Sequence, residues 1–381
     1  MPIALVVVAT VLTHTAFNGG RLTISLTALA AGATPLTVGV LMSLVAALPM
    51  LVAVRAGRLV DRIGVRYPIL CGVALLGLSI SIPAVFPVLP ALYVAAAGSG
   101  LGFMLFHISI QHAVGESASE AKRRDDFGWL SLGFSISNFL GPTVAGFAID
   151  AIGHRGAFSV VCGFAAASLA LLAVQRRRFR HSPHRRHEPS AGGVLQLLAD
   201  AELRRVFVVT GLLASAWDLF AFAVPVYGSA IRLSASTIGL ILASFAAATF
   251  VVRVALPWIS RHVREWTLIT GTFCIAFVAY AFFPMVRTVP LLAAIAFLLG
   301  LGLGATQPSI LTLLYATAPA GRGAEAVGVR SLVLSASSTF LPLAFGGVGD
   351  ALGMLPVFWA MATALAGGGV IANRRRVARC A

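Results

Sequence analysis

Gly57-Arg58-Leu59-Val60-Asp61-Arg62-Ile63-Gly64-Val65-Arg66 is a short basic run wedged between two long apolar segments. A loop this short and this charged is a hairpin between membrane-crossing helices, on the cytoplasmic side, where positive charge in short loops is retained. Outward from it, apolar stretches of about 20 residues recur, each able to cross a hydrocarbon core roughly 30 Å thick. Twelve are expected, at about 3–25, 36–55, 67–86, 91–112, 127–149, 156–174, 206–229, 237–258, 267–284, 290–314, 326–349 and 355–372. Of the 381 residues, 59% are apolar and only 11% charged, whereas a water-soluble domain needs roughly 25% charged residues. A soluble protein is excluded. Strands of a membrane barrel would alternate in polarity over about ten residues, but these segments are apolar all round. The expectation is an all-α membrane protein in which every helix satisfies its own backbone. Its 38 glycines permit close helix crossings.

The formal net charge of +15 does not point to nucleic acid, and no such partner is expected. With both termini on the inner side, 23 of the 28 lysines and arginines fall in inner loops, the linker or the tail. Arg155, Arg232 and Arg287 fall outside, and Arg21 and Arg253 lie within spans. This is the charge bias of a multi-pass membrane protein, with some attraction to the anionic lipid of the bilayer around it. Asn18 and Arg21 occupy the place of a signal-peptide cleavage site, so the first segment reads as a retained helix. Cys71, Cys162 and Cys274 lie in spans and Cys380 in the tail, without disulfide or metal spacing. No metal and no cofactor is expected.

Residues 175–205 form the only long polar stretch and separate an N-terminal bundle, 1–174, from a C-terminal one, 206–372, which a basic tail follows at 373–381. The three histidines of this stretch belong to an exposed basic linker. A shift of 200 positions brings the halves into register without gaps. Thr37-Val38-Gly39 falls on Thr237-Ile238-Gly239, Pro142 on Pro342, and Asp150-Ala151-Ile152-Gly153 on Asp350-Ala351-Leu352-Gly353. Such duplication is expected of a carrier whose two bundles hold substrate between them near the midplane.

The pattern of Gly57, Leu59, Asp61, Arg62, Gly64 and Arg66 resembles the signature between helices 2 and 3 of the major facilitator superfamily of secondary transporters. Val65 stands where Arg or Lys is common, and over the repeat Asp61 maps to Arg261. On helix 5, Gly133 and then Gly141-Pro142-Thr143-Val144-Ala145-Gly146 are similar to the superfamily's antiporter motif, with Ala145 in place of one glycine. Proline bends a membrane helix and small residues allow a tight crossing, here a hinge or seal near the outer side. The resemblance implies twelve transmembrane helices in two pseudo-symmetric six-helix bundles, alternating access, a bacterial inner membrane, cytoplasmic termini and a monomer. It also implies that Asp61 faces a helix N-terminus. Arg58, Arg62 and Arg66 would pair with Asp125 or Asp126, latching the cytoplasmic gate. One feature of proton exchangers is missing: Val94 precedes Gly98 where they often carry an arginine.

An intramembrane charge costs about 2.5–3.5 kcal/mol, so each is a site candidate. Asp218 leads, near the middle of helix 7 and matched to Asn18 by the repeat. A carboxylate held away from water is suited to carry a proton. His14, Asn18 and Arg21 share one face of helix 1; Arg21 either snorkels outward or turns inward toward Asp218 or an anionic cargo. On helix 4, His107 and Gln111 share a face, and His107 maps to Gln307, as two walls of one cavity. His112 and Glu116 are placed at the inner surface, and Arg253 is expected to snorkel. These residues point to proton-coupled export of a small organic molecule, drug-like or a metabolite. The alternative is proton-coupled uptake of an organic anion or siderophore, with Arg21 as anchor. A membrane enzyme would need clustered carboxylates or a metal constellation; Asp125-Asp126 beside Lys122-Arg123-Arg124 reads instead as a capped, topology-setting loop, so no enzyme is expected.

Overall fold

A computed structural model describes residues 3–115, 120–175, 199–318 and 323–378, and every regular element among them is a helix. The first four are α1 (Ile3–Ala30), α2 (Pro35–Ile63), α3 (Arg66–Val85) and α4 (Leu89–Gly115). A helical stretch Glu120–Val174 is broken at Gly153, whose φ of 74° no ordinary helical residue adopts. The break separates α5 (120–152) from α6 (154–174). The second half contains α7 (Ala201–Ala230), α8 (Ala235–His262), α9 (Glu265–Phe282) with a 3-10 turn Phe283–Met285, α10 (Val289–Thr317), α11 (Gly323–Leu352) and α12 (Met354–Ala378). Among the described residues, eleven helical stretches, with α5 and α6 taken as one, are long and apolar enough to cross a membrane.

Several boundaries differ from the sequence expectation. α1 continues to Ala30 rather than stopping near residue 25. Asp200 caps α7, its Oδ1 accepting from the backbone N–H of Glu202 at 2.8 Å and of Leu203 at 3.0 Å, so residues 201–205 are helix and not linker. α12 runs on through 373–378 of the basic tail. Residues 176–198 of the linker, with its three histidines, and Glu116 lie outside the described residues.

The duplication is present in three dimensions down to single hydrogen bonds. α1 ends in a turn where Ala33 N donates to Ala28 O and Gly32 N to Leu29 O; α7 ends with Leu233 N to Gly228 O and Arg232 N to Ser229 O. These are the paired 6→1 and 5→2 bonds of a Schellman cap. Thr34 then caps α2 and Ser234 caps α8, each accepting from the N–H three residues on. The turn needs a left-handed residue. Gly32 supplies it at φ 82°, but the second half uses Arg232 at φ 62°, where a Cβ crowds its own backbone. Arg232→Gly is therefore expected to stabilise the protein by roughly 0.5–1 kcal/mol, and Gly32→Ala to destabilise it by a similar amount. Thermal unfolding of the purified protein in detergent checks both; equal melting temperatures would refute the strain.

At the end of the molecule away from the termini, α2 crosses α11 and α5 crosses α8, twice in the same way. A Cβ on Gly39 would strike the carbonyl of Pro342, and one on Gly239 the carbonyl of Pro142. A Cβ on Gly346 would lie 2.7 Å from Pro35 O, and one on Gly146 would strike the carbonyl of Ala235. Only glycine fits backbones this close. These crossings join the two bundles and close that end.

Candidate functional site

Between the bundles lies a cavity of about 460 Å³, walled by His14, Asn18 and Arg21 of α1, Phe103 and His107 of α4, Phe134 and Asn138 of α5, and Trp217 of α7. Through Asn18, Arg21, Asn138 and Trp217 it adjoins a hollow of about 90 Å³ that reaches Phe220 and Phe245. Through Ser131, Arg253 and Gln307 it adjoins a vestibule of about 750 Å³ whose wall extends to Asp125 at the foot of α5. The space is thus sealed at the far end and continues toward the face that carries the termini.

The repeat governs the polar links in this wall. Asn18 Nδ2 donates to Asn138 Oδ1 at 2.8 Å, tying α1 to α5. Two hundred positions on, Ser338 Oγ donates to Asp218 Oδ2 at 2.6 Å, tying α7 to α11. The same two positions are linked in both halves with donor and acceptor reversed, between neutral groups in one half and to a carboxylate in the other. His14 hydrogen-bonds Ser137 Oγ through Nδ1 at 2.6 Å and stacks on Phe103 at 5.1 Å. His107 hydrogen-bonds Gln111 on its own helix, while Gln307 Oε1 accepts from the buried Arg330.

The two arginines placed within spans both turn inward. Arg21 lines the cavity with its Cζ 5.8 Å from the centre of the Phe17 ring. It makes no ion pair or hydrogen bond among the described residues, and its Nε is buried without a partner. Asp218 is its electrostatic neighbour but does not touch it. Arg253, expected to snorkel, instead donates to Ser135 Oγ at 3.0 Å across the α8–α5 contact, because the vestibule that both residues line offers its guanidinium an acceptor. His14, Asn18, Arg21, His107, Gln111 and Gln307 all share the cavity wall, and Asp218 stands next to the wall residue Trp217.

The basic loop is arranged differently from the expectation. Asp61 Oδ1 lies 3.3 Å from His112 Nε2, in the last turn of α4, rather than at a helix N-terminus. Gly64 ends α2 at φ 77° and Gly57 meets no neighbour. Arg58 and Arg62 are exposed, and Arg66 lies over Tyr67 with its Cζ 5.5 Å from the ring centre. None of the three arginines forms an ion pair with Asp125 among the described residues. Asp126 is buried at the foot of α5. Of the helix-5 residues, Gly133 faces Val7 and Thr10 and Gly141 packs on Asn18 and Gly19, contacts made within one bundle, while Pro142 and Gly146 meet α8 across the bundles.

A further link at the seal connects Asp150 to the start of α8. Its Oδ1 accepts from Ala235 N at 3.1 Å and its Oδ2 from Ser236 N at 2.8 Å, placing negative charge where a helix favours it. The repeat counterpart Asp350 falls opposite Pro35, which has no N–H, and accepts no hydrogen bond among the described residues. Asp150→Asn is therefore expected to weaken closure by about 1 kcal/mol, roughly fivefold in population, and Asp350→Asn to leave it unchanged. Spin-label distances between positions 152 and 233 report the difference, and equal responses would sink it.

The family model described as Major Facilitator Superfamily matches residues 6–338 and, again, 206–377. The chain belongs to the Major Facilitator Superfamily. It is a multi-pass membrane transporter of small molecules and not an enzyme. This superfamily member shares its fold with a peptide transporter POT in complex with sulfate, at TM-score 0.81 and 14% identity over 98% of this chain and 93% of that one. A POT family transporter in complex with 5-aminolevulinic acid aligns at 0.76 and 14%, over 98% and 95%. A bacterial homolog of the human lysosomal transporter Spinster, inward-facing and occupied, aligns at 0.76 and 14%, over 96% and 95%. At such identities the likeness concerns the fold alone. No curated protein sequence matches the chain.

Proposed function

We propose that this superfamily member is a proton-coupled exporter of a small organic molecule, working by alternating access in a bacterial cytoplasmic membrane. Cytoplasmic termini, supported by the charge distribution of the loops, make the sealed end the outer one and the open vestibule the inner one. The observation that carries the reading is Asp218, an acid beside the central cavity, bonded across α7–α11 and facing Arg21 without touching it. When the site opens outward, Asp218 takes up a proton and its attraction to Arg21 is removed. When the site opens inward, the proton leaves and cargo loads in the same cavity. The glycines and proline of α2, α5, α8 and α11 form the outer gate, and the Gly57–Arg66 loop guards the inner one.

The unpartnered Arg21 favours a second reading, uptake of an organic anion together with protons. One experiment tests both. A susceptibility and metabolite-accumulation screen of cells lacking or overproducing the protein names the cargo. That cargo is then followed in proteoliposomes while the imposed pH gradient is reversed. Export by exchange predicts movement of cargo against the proton flow; movement with it supports symport. Transport indifferent to the gradient would overturn proton coupling altogether.

A further inference from the structure

We infer that the cargo is an aromatic organic acid: a planar ring system with one carboxylate or similarly compact anion, its charge held by Arg21 and its ring by the aromatic wall of α1, α4 and α5. This rests on the central cavity being the transport site proposed above, and it adds the chemistry of what the cavity accepts.

The charge balance around the space comes first. Three guanidiniums lie in or just behind its walls, those of Arg21, Arg253 and Arg330, against the carboxylate of Asp218 and, farther off in the vestibule, that of Asp125. Arg253 and Arg330 already have acceptors in Ser135 and Gln307, and Asp218 is occupied by Ser338. Arg21, of the three, has no hydrogen bond at all among the described residues. Its Nε is fully enclosed without a hydrogen bond, although buried polar groups in native proteins are almost always paired. A guanidinium presents its donors as a planar fork matched to a carboxylate or phosphonate. An anion entering this cavity meets the guanidinium of Arg21 in its wall, and Asn18 and Asn138 border the same spot with amide groups. A cationic cargo would face an excess of positive charge.

The aromatic residues next to Arg21 are arranged around the same space. Phe17 and Phe103 stack with ring centres 4.0 Å apart and planes 9° from parallel. Phe134 meets His14 edge-on at 4.9 Å, and Trp217 lines the opposite bundle's side. A flat ring placed among them gains stacked and edge contacts beyond simple burial. About 460 Å³ lies in the range that takes a small organic ligand, enough for one or two fused rings with a short acidic arm. A bare inorganic anion would leave this wall unused.

The test is equilibrium binding to purified protein in detergent, without any gradient. Probes are 1-naphthoate, its carboxamide, 1-naphthylmethylamine and cyclohexanecarboxylate, with benzoate and indole-3-acetate extending the acid series. Naphthoate is expected to bind about 30-fold more tightly than the amide or the amine, the scale set by truncating one partner of an enclosed charge pair. Cyclohexanecarboxylate is expected to bind several-fold more weakly. Arg21→Gln should cost naphthoate about 30-fold, Arg21→Lys less, and Phe103→Ala should erase the preference for the aromatic acid. Size-exclusion profiles verify that each variant is folded, and Arg21→Lys preserves the charge if Arg21→Gln fails to fold. The inference is overturned if the amine matches naphthoate, if Arg21→Gln binds it as well as wild type, or if no aromatic acid binds. Binding needs no proton gradient, so a failure of proton exchange leaves this result standing. Loss of acid selectivity in a protein that still exchanges protons sinks the cargo class alone.

Discussion

Gly39→Ala combined with Gly239→Ala is expected to drive the protein out of the closed-outside arrangement. Each added Cβ would run into a backbone carbonyl, of Pro342 or Pro142, with the carbonyl carbon only 3.1 or 3.2 Å away. Backbone cannot rotate aside as a side chain can, so both crossings must widen. Overpacking of this kind costs about 1–3 kcal/mol per site. Because it acts only when these crossings are closed, the cost falls on one conformation and shifts the population by at least tenfold, roughly. Spin labels at positions 33 and 352 report the change: the distance distribution moves outward, while labels on a single bundle stay where they were. An unchanged distribution between 33 and 352 would show that the crossings are not the gate.

Asp218→Asn is expected to uncouple transport from the proton gradient without harming the fold. The amide oxygen of an asparagine can still accept the hydrogen bond of Ser338, and the repeat already holds an amide at this position, where Asn18 links to Asn138 as donor. Removing a charge enclosed between helices relieves desolvation and does not leave a polar group orphaned. Thermal unfolding should therefore be unaffected or slightly later. Exchange of cargo down its own gradient should persist, whereas accumulation driven by a pH gradient should fall to the level of empty vesicles. If the variant still accumulates cargo, the proton moves through another group, and His107 is the next to substitute.

Much of this architecture was legible in the chain. A polar hairpin between apolar segments placed α2 and α3, and a register of 200 anticipated that Gly39, Pro142 and Gly146 have working twins. Asp218 and Asn18 stood out because charge and amide are costly in a bilayer. Rotation of the helices was not legible. Segments apolar on every side give no periodic signal of which face is buried, so Arg21 could be read two ways and Arg253 was placed at the surface. Asn138 and Ser338 were overlooked for a related reason. Small polar side chains in helices often bond their own preceding turn, as Ser137 does with Gly133 O, and they therefore raise no alarm in a sequence. Asp150 served only to align the halves, because its partners are backbone N–H groups. The contrast that frees Asp350, Pro35 against Ala235, was in plain view. Arg330, inside a marked span, was absorbed into the inner positive charge although it is only 7% exposed.

The paired links of positions 18 with 138 and 218 with 338 have an implication for how such a carrier counts. A doubled unit with an acid at both of these places would handle protons in twos. Here the amide at Asn18 silences one of the two, and under the proposed mechanism one proton crosses per cycle. The stoichiometry of the machine then rests on a nitrogen in place of an oxygen, a difference that Asn18→Asp would remove.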